Sequence, residues 1–403
     1  MDAPVRGYET VLGLLRKGVA IPNPLSLDIG PEVDPDRISG SGVMIYPGCR
    51  IYGAKTVLSA GVRLGAEGPV TVDDCRLGPG VELRGGYFSK SVFLQKASMG
   101  LGAHVREGCL LEEEANGAHC VGLKQTILFP FVTLGSLINF CDCLMAGGTS
   151  RKDHSEVGSS YIHFNYTPDG NKTTASLFGD VPRGVMLDQP PIFLGGQGGA
   201  VGPVVTGYGT VVAAGSVLRD DVLEDGMLVS TSGLPGQRRP VTPRAYRRLS
   251  RVVARNLVYL ANLCALEAWY AAVRRPFFEA QELGPQVYEG ALEVLAAAKR
   301  ERSKRLDAMV ATVSPDDPAR RELRERIADV LAVFDAPEAH PGDEFLAAFR
   351  ASVGRSPADY IAAVKALPPE VSAAGVRWLQ QIVDDRCARV GSLLPAMSLF
   401  ATA

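Results

Sequence analysis

Aliphatic residues recur every six positions up to about residue 220, and glycine almost disappears after residue 240. Together these two observations predict a left-handed parallel β-helix (a hexapeptide repeat) followed by an all-α C-terminal domain. Of the 44 glycines in the 403 residues, 38 precede residue 240 and 6 follow it, so the turn-rich part ends there. We expect a helix and linker over 1–37, the β-helix over 38–235 with an inserted loop near 149–176, and the α-helical domain over 240–403.

The six-residue period is carried by separate runs that are joined by short slips. The aliphatic positions of these runs are Ile45, Ile51, Val57, Leu64, Val70, Leu77, Leu83, Met99, Val105, Leu111, Val205, Val211 and Val217. Each hexapeptide forms one flat side of a triangular coil, whose aliphatic residue points inward and whose small residue lets the chain turn the corner. Coils stack because one coil cannot bury its own core. This phase predicts that Val211 points into the prism.

The alternative interpretation of the first half is an ordinary β-sandwich. That fold requires apolar and polar residues in alternation and hairpin signals such as Asn-Gly, and neither is prominent before residue 220. The β-helix is therefore the better interpretation of this segment.

The second half changes to helical periodicity. Thr242 and Pro243 form a start signal for a long amphipathic helix. Further helices are expected near 284–312, 316–334, 343–353, 356–366 and 369–390. No active-site signature occurs in this half, so its expected role is packing or oligomerisation.

Composition and charge restrict the function classes. The net charge of -2 provides no basic field for nucleic acid. The N-terminal segment contains Asp2 and Glu9 and does not resemble a signal peptide, and the most apolar later stretch carries Arg255 and Glu267. We therefore expect a cytoplasmic protein with neither a membrane nor a nucleic-acid partner.

The eight cysteines do not form a CxxC pair. His119, Cys120, Cys141 and Cys143 are the nearest approach to a set of metal ligands, but their spacing fits no standard zinc pattern. Buried thiols inside β-coils are the simpler interpretation, and we expect no metal.

The densest polar cluster lies between residues 149 and 176, where the repeat is interrupted. Five of the six residues over 151–156 are ionisable in a chain that is 21% charged. His154 stands beside carboxylates and is a candidate general base. Arg151, Lys152 and Lys172 are candidates for binding a phosphate. A solvated surface loop is the alternative interpretation of this cluster.

His163 is the second candidate base. It lies two residues before Asn165, so in an extended strand the two side chains share a face. That placement favours His163 if this face lines the cleft, and His154 if the loop folds over it.

The segment FNYTPDGNKTTAS resembles the NYDGxxKxxT motif in the acetyltransferase half of the bifunctional enzyme family that makes UDP-N-acetylglucosamine. The matching positions are Asn165, Tyr166, Asp169, Gly170, Lys172 and Thr174. Residues 192–221 are also similar to the terminal coils of that family, so the resemblance spans roughly 139–221.

The resemblance implies acyl transfer from acetyl-CoA or another acyl-CoA to a sugar or sugar phosphate, in a homotrimer of parallel β-helices. It implies that Asn165 acts near the reacting acyl group. It further implies that the substrate is bound by Tyr166, Asp169 and Lys172, and that Gly196, Ala213 and Ala214 let the backbone approach coenzyme A.

The sequence departs from this family at its catalytic histidine, because the corresponding position, about one coil before the Asn-Tyr pair, falls near Asp142. His154 and His163 would therefore act as substitutes. Gly196 replaces a serine of the family site, and the glycine-rich uridylyltransferase loop is missing. Three functions stay open: acyl transfer, a non-catalytic β-helix that binds a sugar nucleotide or acts as a scaffold, and nucleotidyl transfer of the UDP-N-acetylglucosamine pyrophosphorylase type without a recognisable motif.

Overall fold

The computed structural model describes residues 7–164, 171–236, 238, 240, 242, 244–353 and 359–400. The strands in this part are β1 (Asp28–Ile29), β2 (Met44–Ile45), β3 (Arg50–Tyr52), β4 (Val57–Leu58), β5 (Arg63–Leu64), β6 (Val70–Asp73), β7 (Arg76–Leu77), β8 (Glu82–Leu83), β9 (Gly86–Ser89), β10 (Val92–Phe93), β11 (Ser98–Met99), β12 (Ala103–Val105), β13 (Leu110–Leu111), β14 (Asn116–Gly117), β15 (Gly122–Leu128), β16 (Thr133–Leu134), β17 (Asn139–Met145), β18 (Gly148–Ser150), β19 (Asp153–His154), β20 (Glu156–Val157), β21 (Ile162–Phe164), β22 (Ser176–Phe178), β23 (Phe193–Leu194), β24 (Gly199–Val201), β25 (Val205–Thr206), β26 (Val211–Val212), β27 (Val217–Leu218) and β28 (Leu228–Val229).

The α-helices are α1 (Tyr8–Lys17), α2 (Val181–Gly184), α3 (Leu249–Trp269), α4 (Arg275–Glu279), α5 (Gly284–Val310), α6 (Pro318–Asp335), α7 (Asp343–Val353), α8 (Tyr360–Lys365) and α9 (Pro369–Leu393). A π-helical turn, Tyr270–Arg274, joins α3 to α4. The expected start signal at Pro243, and the start of the helix expected over 356–366, lie outside the described residues. None of the helices in the described ranges is long and apolar enough to cross a membrane.

Parallel pairing between successive coils stacks the strands into a triangular prism with three faces. Face A contains β2, β5, β8, β11, β14, β16, β20, β23, β26 and β28; face B contains β1, β3, β6, β9, β12, β21, β24, β27 and the first halves of β15 and β17; face C contains β4, β7, β10, β13, β22, β25 and the second halves of β15 and β17. The chain passes corners AB, BC and CA in that order. The predicted fold, a left-handed parallel β-helix followed by helices, is confirmed.

The second residue of each face A strand points into the prism. Ile45, Leu64 and Leu83 are fully buried, as the repeat predicts. In the late coils, however, Val212 is fully buried whereas Val211 is 40% exposed. The prediction that Val211 points inward is therefore wrong, and the last run of the repeat is shifted by one residue. The same shift occurs at Val57, which faces outward while its neighbour Leu58 points inward.

The shift has a local cause. Val211 and Val212 satisfy a six-residue period equally well, so spacing alone does not choose between them. The glycine at the corner determines which of the two faces inward. Gly215 has a φ of 75° and stands three residues after Val212, as Gly48 (φ 80°) stands three residues after the inward Ile45. A left-handed corner residue favours glycine, and it fixes which neighbour faces inward.

The helical domain covers face C. The outward residues of β4, β7, β10, β13, β15, β17 and β22 on this face are at most 5% exposed: Val57, Arg76, Val92, Leu110, Ile127, Leu144 and Leu177. Helix α5 contacts β7 and β10, and α3 contacts β22. Arg274 Nη2 lies 2.6 Å from Glu113 Oε1 in an ion pair that joins the two parts of the chain. The helices therefore form one wall along the prism and leave faces A and B uncovered.

Candidate functional site

The candidate site residues lie at three different corners of the prism. His154, Arg151 and Lys152 belong to a hairpin at corner CA, between β17 and β20. The described part of the Asn-Tyr motif, Lys172 and Thr174, lies at corner BC, between β21 and β22. Gly196, Ala213 and Ala214 lie at corner AB. A full face separates each corner from the next, so one chain does not bring the three sets together.

The hairpin at corner CA is formed by β18 and β19, in which Gly148 pairs with His154. His154 Nδ1 lies 3.0 Å from the carbonyl oxygen of Arg151, and its Nε2 lies 3.9 Å from Glu156 Oε2. Because a carbonyl accepts only, Nδ1 carries the proton of the neutral ring and Nε2 keeps its lone pair. With 21% of its side chain exposed, His154 has the chemistry of an accessible base.

Arg151 anchors this hairpin to the prism. Its Nη1 donates to the carbonyl oxygens of Phe131 at 2.6 Å and Glu114 at 3.2 Å, and to Thr133 Oγ1 at 3.0 Å. The guanidinium of Arg151 thus already donates to three acceptors in earlier coils of the same chain. Lys152, in contrast, is exposed, and no side-chain contact holds it among the described residues.

His163 lies inside the prism. It occupies the inward position of β21, is 7% exposed, and its ring packs against Phe140 and Phe178. Its Nε2 lies 2.8 Å from Ser176 Oγ. Burial, opposed by the nearby Asp142 carboxylate, lowers the pKa of His163 to about 4, so the ring is neutral at neutral pH. This position suits a core histidine better than a base that must reach a substrate.

The described part of the motif lies at corner BC, next to the helical domain. Asn165, Tyr166 and Asp169 lie outside the described residues, whereas Lys172 is described and exposed. Thr173, in the same segment, is buried, and its carbonyl oxygen accepts from Asn256 Nδ2 of α3 at 3.1 Å.

Asp142, which stands where the family has its histidine, is held by an arginine of α5. Arg302 Nη2 lies 2.6 Å from Asp142 Oδ1, and Arg302 is 3% exposed. Thr174 Oγ1 donates to the other carboxylate oxygen at 3.4 Å. Arg302 could not be predicted from the sequence, because it lies 160 residues from Asp142 in a helix without any local motif.

Helix α5 runs along corner BC. Glu293 contacts Arg76 near its start, Arg302 contacts Asp142 further along, and Met309 Sδ accepts from Thr173 Oγ1 at 3.5 Å. The helix thus forms an outer wall of the corner that carries the motif.

At corner AB, successive coils stack closely on small residues. A Cβ atom on Gly196 would lie 2.8 Å from the carbonyl oxygen of Ser159, and one on Gly195 would lie 2.4 Å from the amide nitrogen of Ala214. Ala213 is half-buried and Ala214 is exposed. The backbone of these coils is therefore open to close approach from outside.

The uncovered faces carry large apolar side chains that are 38–76% exposed. These side chains are Tyr87, Ile162 and Phe164 on face B, Leu101 and Leu137 at corner AB, and Phe193, Val211 and Leu228 on face A. The last three are paired in register on neighbouring strands, so they form one strip.

The candidate metal ligands of the sequence do not converge. His119 and Cys120 lie at corner AB, and Cys141 and Cys143 lie at corner BC. Within the ranges that the structure describes, no group of three or more His, Cys, Asp or Glu side chains is arranged to hold a metal ion.

Comparison with known proteins points to one kind of relative. No family model matches the chain. It is 27% identical over 199 residues to the bifunctional protein GlmU of Trichlorobacter lovleyi (49% of this chain, 39% of that protein), and 28% identical over 218 residues to GlmU of Fervidobacterium nodosum (53% and 42%). GlmU of Thermotoga maritima is 26% identical over 213 residues (52% and 41%).

The chain thus spans about two fifths of the length of these relatives. Among solved structures, the UDP-N-acetylglucosamine acyltransferase from Campylobacter jejuni matches 51% of this chain and 67% of its own, at 13% identity and a TM-score of 0.15, which is too low to bear on the fold or the function. The chain is a hexapeptide-repeat β-helix protein that resembles the bifunctional GlmU proteins over about half of its length.

Proposed function

We propose that the chain transfers an acyl group from a coenzyme A thioester to a sugar or sugar phosphate, in a site shared between subunits of a homotrimer. The observation that carries the proposal is the position of Lys172 and Thr174, the described part of the motif, at corner BC beside the wall that α5 forms. The similarity to GlmU proteins supports the same chemistry, because the motif implies an acyl acceptor held by Tyr166, Asp169 and Lys172.

The proposed reaction needs a base, an oxyanion donor and room for the thioester. His154 Nε2 takes the proton of the acceptor amine or hydroxyl, and Glu156 stabilises the imidazolium that results. Asn165 and backbone N–H groups stabilise the tetrahedral oxyanion. The small residues Gly196 and Ala214 let coenzyme A lie against the backbone of corner AB.

Within one chain His154, Lys172 and Gly196 lie at three different corners, so the proposal brings the reacting groups together between subunits. Face C is closed by the chain's own helices, so faces A and B are the surfaces through which a second copy can approach. Their exposed apolar side chains support this, since large apolar patches mark protein contacts.

The test is thiol release from acetyl-CoA in the presence of amino sugars and sugar phosphates. We expect His154→Ala and Asn165→Ala each to lower turnover by about 10²–10⁴-fold. His340→Ala, in the helical domain, is the matched control and should turn over like the wild type.

A site shared between subunits can also be tested with mixed trimers. Mixed trimers of His154→Ala and Asn165→Ala subunits should regain part of the activity, because some sites then combine two intact halves. Loss in Asn165→Ala with full activity in His154→Ala would remove His154 from the site and keep the site at corner BC. An absence of turnover with every acyl-CoA would reject acyl transfer.

One observation favours a second function, the non-catalytic binding of a sugar nucleotide. The family's histidine position is occupied by Asp142, whose carboxylate is engaged by the buried Arg302. A β-helix that binds but does not transfer would show stabilisation by UDP-N-acetylglucosamine without any thiol release, and a ligand at 100 times its Kd would stabilise it by about 2.7 kcal/mol.

A further inference from the structure

A charged cleft lies between corner BC and the first half of α5, away from the motif segment. Its volume is about 520 Å³, within the range of small-molecule sites. Corner BC contributes Lys55, Lys90 and Gln125 from every second coil, and α5 contributes Glu293 and Arg300. Stacked coils are about 4.8 Å apart, so these corner side chains form a column along one wall.

Two of the basic groups in the cleft share a single carboxylate. Lys55 Nζ lies 3.0 Å and Arg76 Nη2 lies 2.9 Å from the Glu293 carboxylate. Burial alone would raise the pKa of Glu293, but hydrogen bonds from Lys55 and Arg76 outweigh it and lower that pKa. Glu293 is therefore an internal counterion for both cations.

The remaining basic groups are free to bind. Lys90 and Arg300 line the cleft and are exposed, and their side chains have no hydrogen bond or ion pair among the described residues. The lining has four basic and three acidic side chains, and Lys124 pairs with one of the latter, Glu107, at 2.7 Å. Counting Lys124 and also Asp73, whose charge interacts with that of Lys90, five cations face four carboxylates, which leaves an excess of one positive charge.

Two buried polar atoms in the wall have no partner. Arg76 is 5% exposed, and its Nε has no hydrogen-bond acceptor within the described ranges. Gln125 Oε1 is buried and lacks a donor there. An unsatisfied buried polar group costs roughly 1–3 kcal/mol, so a site with both signals calls for a ligand that accepts from one and donates to the other.

We propose that this cleft binds a small phosphate monoester that also carries hydroxyl groups. The excess positive charge favours a phosphate monoester, which is a dianion above its second pKa of about 6. The phosphate oxygens accept from Lys90, Arg300 and Arg76 Nε, and a ligand hydroxyl donates to Gln125 Oε1. The inference stands on the cleft alone and does not depend on acyl transfer.

The test is calorimetric titration of the full chain at pH 7.5 with glucose 1-phosphate, inorganic phosphate and glucose. We expect one glucose 1-phosphate per chain, weaker binding of inorganic phosphate and none of glucose. Arg300→Gln and Lys90→Asn should each weaken binding about tenfold or more. Asparagine tolerates the left-handed backbone of Lys90 (φ 47°), so that variant removes charge without adding strain.

Two further variants place the ligand. Ala297→Glu, which adds a carboxylate to the lining and removes no cation, should abolish binding. Lys304→Gln removes an exposed cation of the same helix outside the cleft and should bind like the wild type. Failure of both phosphates to bind, or equal weakening by Lys304→Gln, would overturn the proposal.

Two further outcomes would also overturn part or all of the proposal. Equal affinity for inorganic phosphate and glucose 1-phosphate would overturn the role of Gln125 and the hydroxyl requirement. Binding that is lost in Lys172→Ala but kept in Arg300→Gln would place the ligand at the motif segment and reject the cleft, while leaving acyl transfer untouched.

Discussion

Faces A and C are built from the same repeat, yet their outward residues differ. On face C the outward position is apolar in β4, β10, β13, β15, β17 and β22, and each of these residues is buried by the chain's own helices. On face A the outward residues Ser98, Asn116 and Thr133 are polar, and only Phe193, Val211 and Leu228 in the last coils are apolar and exposed. A hexapeptide in which both the inward residue and its outward neighbour are apolar therefore indicates a covered face. The late coils of face A have this composition, as expected of a surface that a second chain covers.

The largest expected effect tests which residues face inward, on which this comparison depends. Val212→Asp places an unpaired carboxylate in the prism core and should lower the free energy of unfolding by several kcal/mol. Val211→Asp changes the outward neighbour, which is 40% exposed, and should cost less than about 1 kcal/mol. Urea unfolding measures both, and equal losses would contradict the assigned phase.

The next effect tests the covered corner BC. Arg302→Met leaves Asp142 without its partner at a largely buried position and should cost about 3–5 kcal/mol, whereas the double variant with Asp142→Asn should recover most of the loss. Arg305→Met, which breaks an i,i+4 pair with Glu301 on the same helix, is the control and should cost less than about 1 kcal/mol. If the two arginine variants unfold alike, α5 does not close this corner.

A smaller, pH-dependent effect tests the contact between face C and the helices. Glu112 is 2% exposed and hydrogen-bonds the Tyr270 hydroxyl, and burial raises its pKa to about 7 from an ordinary 4.5. Between these values the folded state holds a proton that the unfolded state has lost, so Glu112 lowers stability as pH rises from about 4.5 to about 7.

Glu112→Gln removes this dependence. We expect the variant to gain up to about 1.4 kcal/mol per pH unit relative to the wild type across that window, and nothing further above pH 7. Urea unfolding at pH 5, 6, 7 and 8 measures the difference. A difference that does not change with pH would show that Glu112 is not buried under the helices.

The repeat and the glycine boundary were sufficient to predict the fold, because both follow directly from coil geometry. The phase of the last run was not predicted, since Val211 and Val212 fit the spacing equally. The positive φ of Gly215 resolves it, and glycine three residues after an aliphatic residue is a signal that the sequence does contain.

The candidate site was predictable only in part. The polar cluster and the Asn-Tyr motif are adjacent in sequence, but a solenoid turns a corner every six residues or so, and His154 and Lys172 leave the prism at different corners. In the sequence His163 is a candidate base because it is a histidine close to the motif. Its inward position among Phe140 and Phe178 makes it part of the core instead. Arg302 depends on long-range packing that no local pattern encodes.

Face C is closed by the chain's own helices, so in the proposed homotrimer faces A and B meet other copies of the chain. Multi-angle light scattering on the purified chain at working concentration measures whether they do. We expect a particle of three times the chain mass of 42.8 kDa. A particle of 42.8 kDa would contradict the trimer, and with it a site shared between subunits.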